Sequence, residues 1–192
     1  MLLAADTMGA GRCIKQAFLQ GHGGGNVIYG FNAEEVFQIA IDIEENGYEF
    51  YQKAQAVIDD AAVRGVFSSL AEAEIKHKER FTALKAELPQ RAKEGTVWDP
   101  NNEMDHYLRM MADMHVFKTK AGVKEAVARI KGAADALKFA MQFEKDSITF
   151  FLTMQDATEE RQGRALIGQL VEEEKGHLKR LAMELGKYAG AR

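Results

Sequence analysis

Apolar residues recur every three or four positions along most of the chain, which is the spacing of one buried face on an α-helix. The first such stretch predicts a helix from Ala33 to about Val57. Asn32 is a favourable N-cap, and Glu35, three residues later, completes a capping box. The pattern therefore predicts a sharp helix start directly after residue 32.

Turn signals mark the end of this helix and of the next one. Asp59 and Asp60 predict a turn and an N-cap, and a second helix then runs to about Leu88, where Pro89 stops it. Because only a few residues separate the two helices, we expect them to pack side by side as an antiparallel hairpin.

The stretch over residues 89–122 is less regular and carries only a short predicted helix, Glu103–Met114. A third long helix is predicted over about 123–157, with a weak point at Gly132, since glycine is a poor helix former. A fourth is predicted over about 159–188. The pattern thus predicts four long helices with one long crossover in the middle.

The second half of the chain repeats the first at a spacing of 100 residues, without a gap. Each copy covers two helices, so the repeat unit is a helical hairpin. Two hairpins predict an all-α fold, an antiparallel four-helix bundle whose long crossover is the segment 89–122. The recurring pairs are Ala40/Ala140, Glu44/Glu144, Phe50/Phe150, Leu70/Leu170, Glu72/Glu172, Glu74/Glu174, His77/His177 and Arg80/Arg180.

Each hairpin carries a Glu-x-x-His motif on its second helix and a glutamate among apolar neighbours on its first helix. A separation of three residues places the glutamate and the histidine of the motif on one helix face. In each hairpin the two recurring glutamates lie equally far from the turn, about 20 Å along the helices. Six side chains are therefore expected at one depth: Glu44, Glu74, His77, Glu144, Glu174 and His177.

Four buried carboxylates at one depth need compensation. A buried, unpaired carboxylate costs several kcal/mol, so the four would repel one another or take up protons. Two divalent metal ions supply four balancing charges, and carboxylate-rich sites with one imidazole per ion suit iron or manganese. The single cysteine, Cys13, excludes an internal disulfide framework and a thiolate zinc site.

The residues around these positions resemble the rubrerythrin branch of the ferritin-like superfamily. The resemblance rests on residues 40–51 (AIDIEENGYEFY) and 70–77 (LAEAEIKH), and on the second copy at 143–151 (FEKDSITFF) and 170–177 (LVEEEKGH). It extends over residues 33–188, and all six family ligand positions match. It implies a ferritin-like bundle with two iron ions that react with hydrogen peroxide or dioxygen.

The resemblance also implies a role for each glutamate. In such sites the glutamates of the Glu-x-x-His motifs bridge the two metals, which implies bridging by Glu74 and Glu174. Glu44 and Glu144 would then be terminal ligands. Manganese or a mixed pair of metals is possible with the same ligands.

Three departures from the family pattern change this picture. Rubrerythrins carry a rubredoxin domain with paired Cys-x-x-Cys motifs, which this sequence lacks, so electrons are expected from a separate, rubredoxin-like donor. The family also has a further carboxylate one turn after the third-helix glutamate, where Ser147 stands here, with Gly47 as its repeat mate. Tyr51 fits the family's tyrosine near the metals, but its repeat mate is Phe151.

The surroundings of the predicted ligands leave alternatives open. Asp42 and Asp146 either orient a ligand histidine or are ordinary surface carboxylates. Tyr48 and Tyr51 are predicted to be core residues that hydrogen-bond a ligand carboxylate. The small side chains at positions 47 and 147 could leave room for an exogenous oxygen ligand.

Composition and charge bear on the domain organisation, the partners and the localisation of the protein. Residues 1–31 carry seven of the 17 glycines and are expected to form a mobile arm before the bundle domain of residues 32–192.

The net charge of −4 gives no reason to expect nucleic acid as a partner. No apolar run reaches the length of a membrane span. Met1–Ala5 is apolar, but Asp6 interrupts it, so a cytoplasmic protein is expected.

The sequence favours an enzyme, a di-iron peroxidase that reduces hydrogen peroxide with electrons from the separate donor. A ferroxidase that oxidises ferrous iron with dioxygen and passes it on is the first alternative. A helical metal-binding module without catalysis is the second. A homodimer is expected from the family and from the methionine-rich crossover, which contains Met104, Met110, Met111 and Met114.

Overall fold

The computed structural model describes residues 33–88, 103–158 and 161–189. The predicted arm (residues 1–31), Cys13, the N-cap Asn32 and the first part of the crossover lie outside these residues. Within them the chain forms six helices and no strand. The helices are α1 (Ala33–Gln55), α2 (Ala61–Ala86), α3 (Glu103–Asp113), α4 (Lys120–Ala128), α5 (Ala133–Ala157) and α6 (Arg161–Ala189).

The four long helices form two hairpins, because the most extensive contacts are those of α1 with α2 and of α5 with α6. Further contacts of α1 with α5, and of α2 with α6, close the hairpins into a four-helix bundle. This arrangement confirms the predicted all-α fold of two repeated hairpins. None of the described helices is long and apolar enough to cross a membrane.

Asp60 sets the turn of the first hairpin, as its sequence position predicts. Its side chain accepts hydrogen bonds from the backbone N–H groups of Ala62 and Val63 at 2.9 and 3.0 Å, which caps the start of α2. The hydroxyl of Tyr188, near the end of α6, donates to the other Asp60 oxygen at 2.6 Å. One carboxylate therefore starts a helix and also ties the last helix to the first hairpin.

The third long helix begins later than the sequence predicts. The stretch from Val123 that the pattern assigns to it forms the separate helix α4, which is capped by Thr119 and packs on α1. The chain then turns, and α5 starts after Gly132, whose backbone is fully extended. The predicted weak point is therefore a complete break, since glycine loses more entropy than other residues in a helix. The crossover reaches to residue 132.

Aromatic rings fill the bundle on the side where the crossover lies. Phe117, between α3 and α4, packs on Phe50 of α1 at a ring-centre distance of 4.5 Å and on Phe143 of α5 at 5.3 Å. Tyr51 and Phe67 complete this layer, with 5.1 Å between their ring centres. Each of these rings is fully buried. The crossover therefore contributes to the core of the bundle, and is more than a connection.

The methionines of the crossover divide between two environments. Met111 is half-buried against the core. Met104, Met110 and Met114 are exposed on α3 and the residue that follows it, Met114 by 71% of its surface. Of these four methionines, Met111 alone packs against the core of the bundle.

Gly47 provides a test of this packing. A Cβ added at Gly47 would overlap the ring of Phe143, whereas a Cβ added at Gly65 on α2 would meet nothing within 4 Å. We expect Gly47→Ala to destabilise the protein by about 1–3 kcal/mol through overpacking. Gly65→Ala, the matched control, should stabilise it by about 0.5–1 kcal/mol through helix propensity. Urea unfolding of chelator-treated protein measures both, and an unchanged or raised stability of Gly47→Ala would contradict this account.

Candidate metal centre

The structure brings together all six side chains that the repeat singles out. They form two groups whose candidate ligand atoms lie within 4.8 Å of one another. Glu74 and Glu174 belong to both groups, so each lies within reach of both candidate metal positions. The first group is Glu44, Glu74, His77 and Glu174, and the second is Glu74, Glu144, Glu174 and His177.

Helix geometry explains why these residues meet. Glu74 and His77 lie one turn apart on α2, and Glu174 and His177 do the same on α6. Glu44 on α1 and Glu144 on α5 face them at the same depth. Five of the six side chains are at most 1% exposed, and His177 is 16% exposed. The centre lies in the core, with one histidine near its edge.

Most ligand atoms in this centre have no hydrogen-bond partner. Buried polar atoms are nearly always satisfied in folded proteins, so a cluster of unsatisfied oxygens is an indication that something else binds there. Among the described residues, the atoms of the centre that make no hydrogen bond of acceptable geometry are Glu44 Oε1 and Oε2, Glu74 Oε1 and Oε2, His77 Nδ1, Glu144 Oε2 and Glu174 Oε1. His77 Nδ1 and Glu174 Oε1 nevertheless lie close together, as an ion pair. These donors suit hard or borderline divalent metal ions.

Both histidines turn the same nitrogen toward the carboxylates. Nδ1 of His77 lies 2.7 Å from Glu174 Oε1 and 3.6 Å from Glu44 Oε2. Nδ1 of His177 lies 3.0 Å from Glu174 Oε2 and 3.6 Å from Glu144 Oε2. The two rings stack with their centres 5.4 Å apart. The Nδ1 atoms are therefore the candidate metal ligands of the imidazoles.

Burial and crowding shift the protonation of the metal-free centre. Burial, followed by the charge of the neighbouring carboxylate, raises the pKa of Glu44 and of Glu144 well above the usual value. Burial lowers the pKa of His177, but the carboxylates of Glu144 and Glu174 outweigh it and raise the pKa to about 10. The pKa of His77 is also raised, because the surrounding carboxylates outweigh its burial. The metal-free centre therefore holds protons that a metal ion must displace.

Tyr51 lies beside the centre, where the sequence placed it. Its hydroxyl donates a hydrogen bond to Oε1 of Glu144. Burial, and then the charge of Glu144, raises the pKa of Tyr51, so the phenol stays protonated and remains a donor. Tyr48 does not fit the prediction of a core residue, because it is 36% exposed and lies on the outside of α1.

Asp42 and Asp146, for which the sequence left open support of a ligand histidine or an ordinary surface position, have partners other than His77 and His177 among the described residues. Asp146 accepts from the backbone N–H of Val116 at 3.0 Å and from Gln142, and Asp42 accepts from Gln38. The contact that sequence reasoning missed is made by Glu173, whose Oε2 lies 3.1 Å from Nε2 of His77. The sequence repeat could not indicate Glu173, because the equivalent residue in the first copy, at position 73, is alanine.

The small residues at positions 47 and 147 do not leave an open space. The ring of Phe143 covers Gly47, and Ser147 is buried with its hydroxyl 3.1 Å from Nε2 of His115. Nδ1 of His115 accepts from the N–H of Phe117 at 3.2 Å, so Nε2 carries the proton and donates to Ser147. Burial lowers the pKa of His115 to about 3, which keeps the ring neutral.

A groove between α1 and α2 lies over the first ligand group. It has a volume of about 570 Å³, and its lining includes Glu44 and Glu74 of the centre together with Tyr48, Ile75 and Lys78. The carboxylate oxygens of Glu44 and Glu74 are buried beneath it, so the groove ends short of the candidate ligand atoms.

The shared position of Glu74 and Glu174 generates a prediction. Glu74→Ala or Glu174→Ala should lower the metal content toward one ion or none, because each removes a ligand of both positions. Glu72→Ala, which removes an exposed carboxylate on the same helix as Glu74, is the control and should keep two ions. Equilibrium dialysis with Mn²⁺ or Fe²⁺ under argon measures the content. Two tightly bound ions in both variants would contradict the ligand assignment.

The protons held by the metal-free centre generate a second prediction. His177, with its pKa near 10, is protonated at neutral pH, and a metal needs the neutral ring, so binding must release protons. Metal affinity should therefore rise with pH between 6 and 8, by about tenfold per unit for each proton displaced. Calorimetric titrations in buffers of different ionisation enthalpy count these protons. A pH-independent affinity over this range would refute the protonation scheme.

Comparison with known proteins gives a likeness of fold. No protein-family profile and no curated protein sequence matches the chain. Among solved structures, the chain is similar to a protein from Thermotoga maritima that has been proposed to be a ferritin-like diiron-carboxylate protein. The TM-score is 0.61 at 20% sequence identity, over 84% of this chain and 99% of that one. The described helices therefore form a bundle of the ferritin-like fold.

Proposed function

We propose that the protein is a di-iron oxidoreductase that reduces hydrogen peroxide to water with electrons from a separate, rubredoxin-like donor. The observation that carries the proposal is the buried centre, in which two groups of ligands share Glu74 and Glu174. A shared pair of carboxylates is the arrangement that two adjacent metal ions require.

The donor set supports iron as the metal. Four carboxylates and two imidazoles, without a thiolate, suit iron or manganese better than thiolate-preferring metals. Four carboxylates also balance the four positive charges of two ferrous ions, with the histidines neutral. The Thermotoga maritima protein with the similar fold has itself been proposed to be a diiron-carboxylate protein.

Each side chain has a role in this assignment. Glu44 and His77 would hold one ion, Glu144 and His177 would hold the other, and Glu74 and Glu174 would bridge them. Two ferrous ions, when bound, supply one electron each. Reduction of one hydrogen peroxide to two water molecules consumes these two electrons and two protons, and the separate donor then restores both electrons.

The residues around the centre prepare it for a small reactant. Tyr51 holds Glu144 through Oε1 and leaves Oε2, which has no hydrogen-bond partner, to face the metal position. The rings of Phe50, Phe67 and Phe143 pack around Tyr51 and exclude water from that side. On the opposite side, the groove between α1 and α2 extends to Glu44 and Glu74, so a shift of the buried Glu44 side chain would admit a molecule as small as peroxide.

The first experiment is rapid mixing of anaerobic, ferrous-loaded protein with hydrogen peroxide and, separately, with dioxygen. The near-ultraviolet absorption of ferric iron reports the oxidation. We expect a reaction with peroxide at least tenfold faster than with dioxygen, complete at two irons per chain. Glu74→Ala serves as the control, because it keeps the fold but lacks a bridging ligand and should show no fast phase.

Two results would contradict the proposal. A faster reaction with dioxygen that continues as more ferrous iron is added would indicate a ferroxidase that passes iron on. Absence of ferric absorption with either oxidant would indicate manganese, or a metal-binding module without redox chemistry.

A further inference from the structure

The two metal positions have unequal surroundings, although the repeat makes their ligands equivalent. Two pairs of repeat mates close to the ligands differ in chemistry. Residue 173 is glutamate where residue 73 is alanine, and residue 51 is tyrosine where residue 151 is phenylalanine. Each difference changes the environment of one ligand and not of its mate.

The first difference supports His77. Oε2 of Glu173 on α6 lies 3.1 Å from Nε2 of His77 on α2, the nitrogen that points away from the centre. The other oxygen of Glu173 accepts a hydrogen bond from Arg80, one turn after His77. Glu173 is therefore held in place while it receives the Nε2–H of His77. This bond leaves the lone pair of Nδ1 directed at the centre.

In the described part of the chain, no carboxylate supports His177 in this way. Ala73 occupies the place equivalent to Glu173 and carries no acceptor. Arg180, the mate of Arg80, donates to Ser69 at 2.9 Å instead of to a carboxylate. Among the described residues, the ion pairs of His177 all involve Nδ1. The side chain of His177 is 16% exposed, compared with 1% for His77.

The second difference acts on the terminal glutamates in the same direction. Oε1 of Glu144 is occupied by the hydroxyl of Tyr51. Among the described residues, both oxygens of Glu44 lack a hydrogen-bond partner. The repeat mate of Tyr51 is Phe151, which has no hydroxyl group that could donate to Glu44. Glu44 can therefore give two oxygens to a metal ion, whereas Glu144 keeps one free.

We propose that Glu173 is a positioning residue for His77, and that it makes the Glu44/His77 position the tighter of two metal positions and the first to fill. The Glu144/His177 position is the weaker one, from which a metal ion exchanges. This inference rests on the proposed function only in that the centre binds two metal ions.

A carboxylate behind a ligand histidine fixes the tautomer and the ring orientation and raises the basicity of the ligating nitrogen. Removing such a partner lowers metal affinity by about 10–100-fold. A difference of this size at one position and not at the other is sufficient to separate two binding steps in a titration.

The test is a calorimetric titration of metal-free protein with Co²⁺, which needs no protection from oxygen-driven turnover. The unmodified protein should bind one ion and then a second, with affinities at least tenfold apart. Glu173→Ala should weaken binding at the Glu44/His77 position by about 10–100-fold, which closes or reverses the gap between the two steps, and should leave the Glu144/His177 position within about twofold of its original affinity. Glu172→Ala is the matched control, because it removes a neighbouring exposed carboxylate and changes the net charge equally.

Two further measurements separate positioning from a general effect on the fold. Urea unfolding of the metal-free proteins measures the general effect, and both Glu173→Ala and Glu172→Ala should stay folded under the conditions of the titration. In the proton NMR spectrum of the Co²⁺ protein, the shifted Nε2–H signal of His77 should exchange slowly with water and vanish in Glu173→Ala. Ala73→Glu, which supplies the missing carboxylate opposite His177, should strengthen the second step and bring the two affinities together.

The outcomes distinguish this inference from the proposed function. Two ions bound with equal affinity, with Glu173→Ala behaving like Glu172→Ala, would overturn the inference and leave the two-metal centre standing. Equal weakening of both steps by Glu173→Ala would also overturn it. If the unmodified protein binds neither Co²⁺ nor Fe²⁺, the proposed function itself fails.

Discussion

The mutual repulsion of four buried carboxylates is the constraint on which the rest of this structure depends. Each carboxylate loses its hydration in the core, and each lies within a few ångströms of at least one other. Such a cluster destabilises the fold unless protons or cations compensate it. The metal-free protein uses protons, which accounts for the raised pKa values of Glu44, Glu144 and His177. Two metal ions would take over the same compensation with a fixed geometry.

This constraint explains why the residues around the centre are closely packed and hydrogen-bonded. A ligand set is useful only if its members cannot move apart to relieve their repulsion. Phe117 anchors the crossover between the rings of Phe50 and Phe143, and the side chain of Asn46 donates to its carbonyl oxygen at 2.8 Å. The neutral pair of His115 and Ser147 adds a satisfied polar contact in the same layer without adding charge. The crossover thus holds α1 and α5 at the spacing that the glutamates need.

The sequence predicted the four helices and the meeting of the six side chains because both follow from local rules. Helical periodicity fixes which residues share a face, and equal distance from a turn fixes their depth. Glu173 could not be found in this way, since its partner lies on another helix and its own position, next to a ligand, belongs to the exposed face of α6. The break at Gly132 and the exposure of Tyr48 depend on how the crossover and α1 pack, which no single helix pattern contains.

Because the two metal positions share ligands, a difference in their affinities would affect both binding steps. Glu74 and Glu174 belong to both ligand groups, so an ion held by Glu44 and His77 would also restrain the two glutamates that the second ion needs. The first ion would also cancel negative charge that otherwise attracts the second ion, which would lower the electrostatic gain of the second step. Ordering of the shared glutamates and loss of charge would therefore act in opposite directions on the second ion. With the first ion tightly held, the shared glutamates would stay ordered while the position beside the more exposed His177 exchanged its metal.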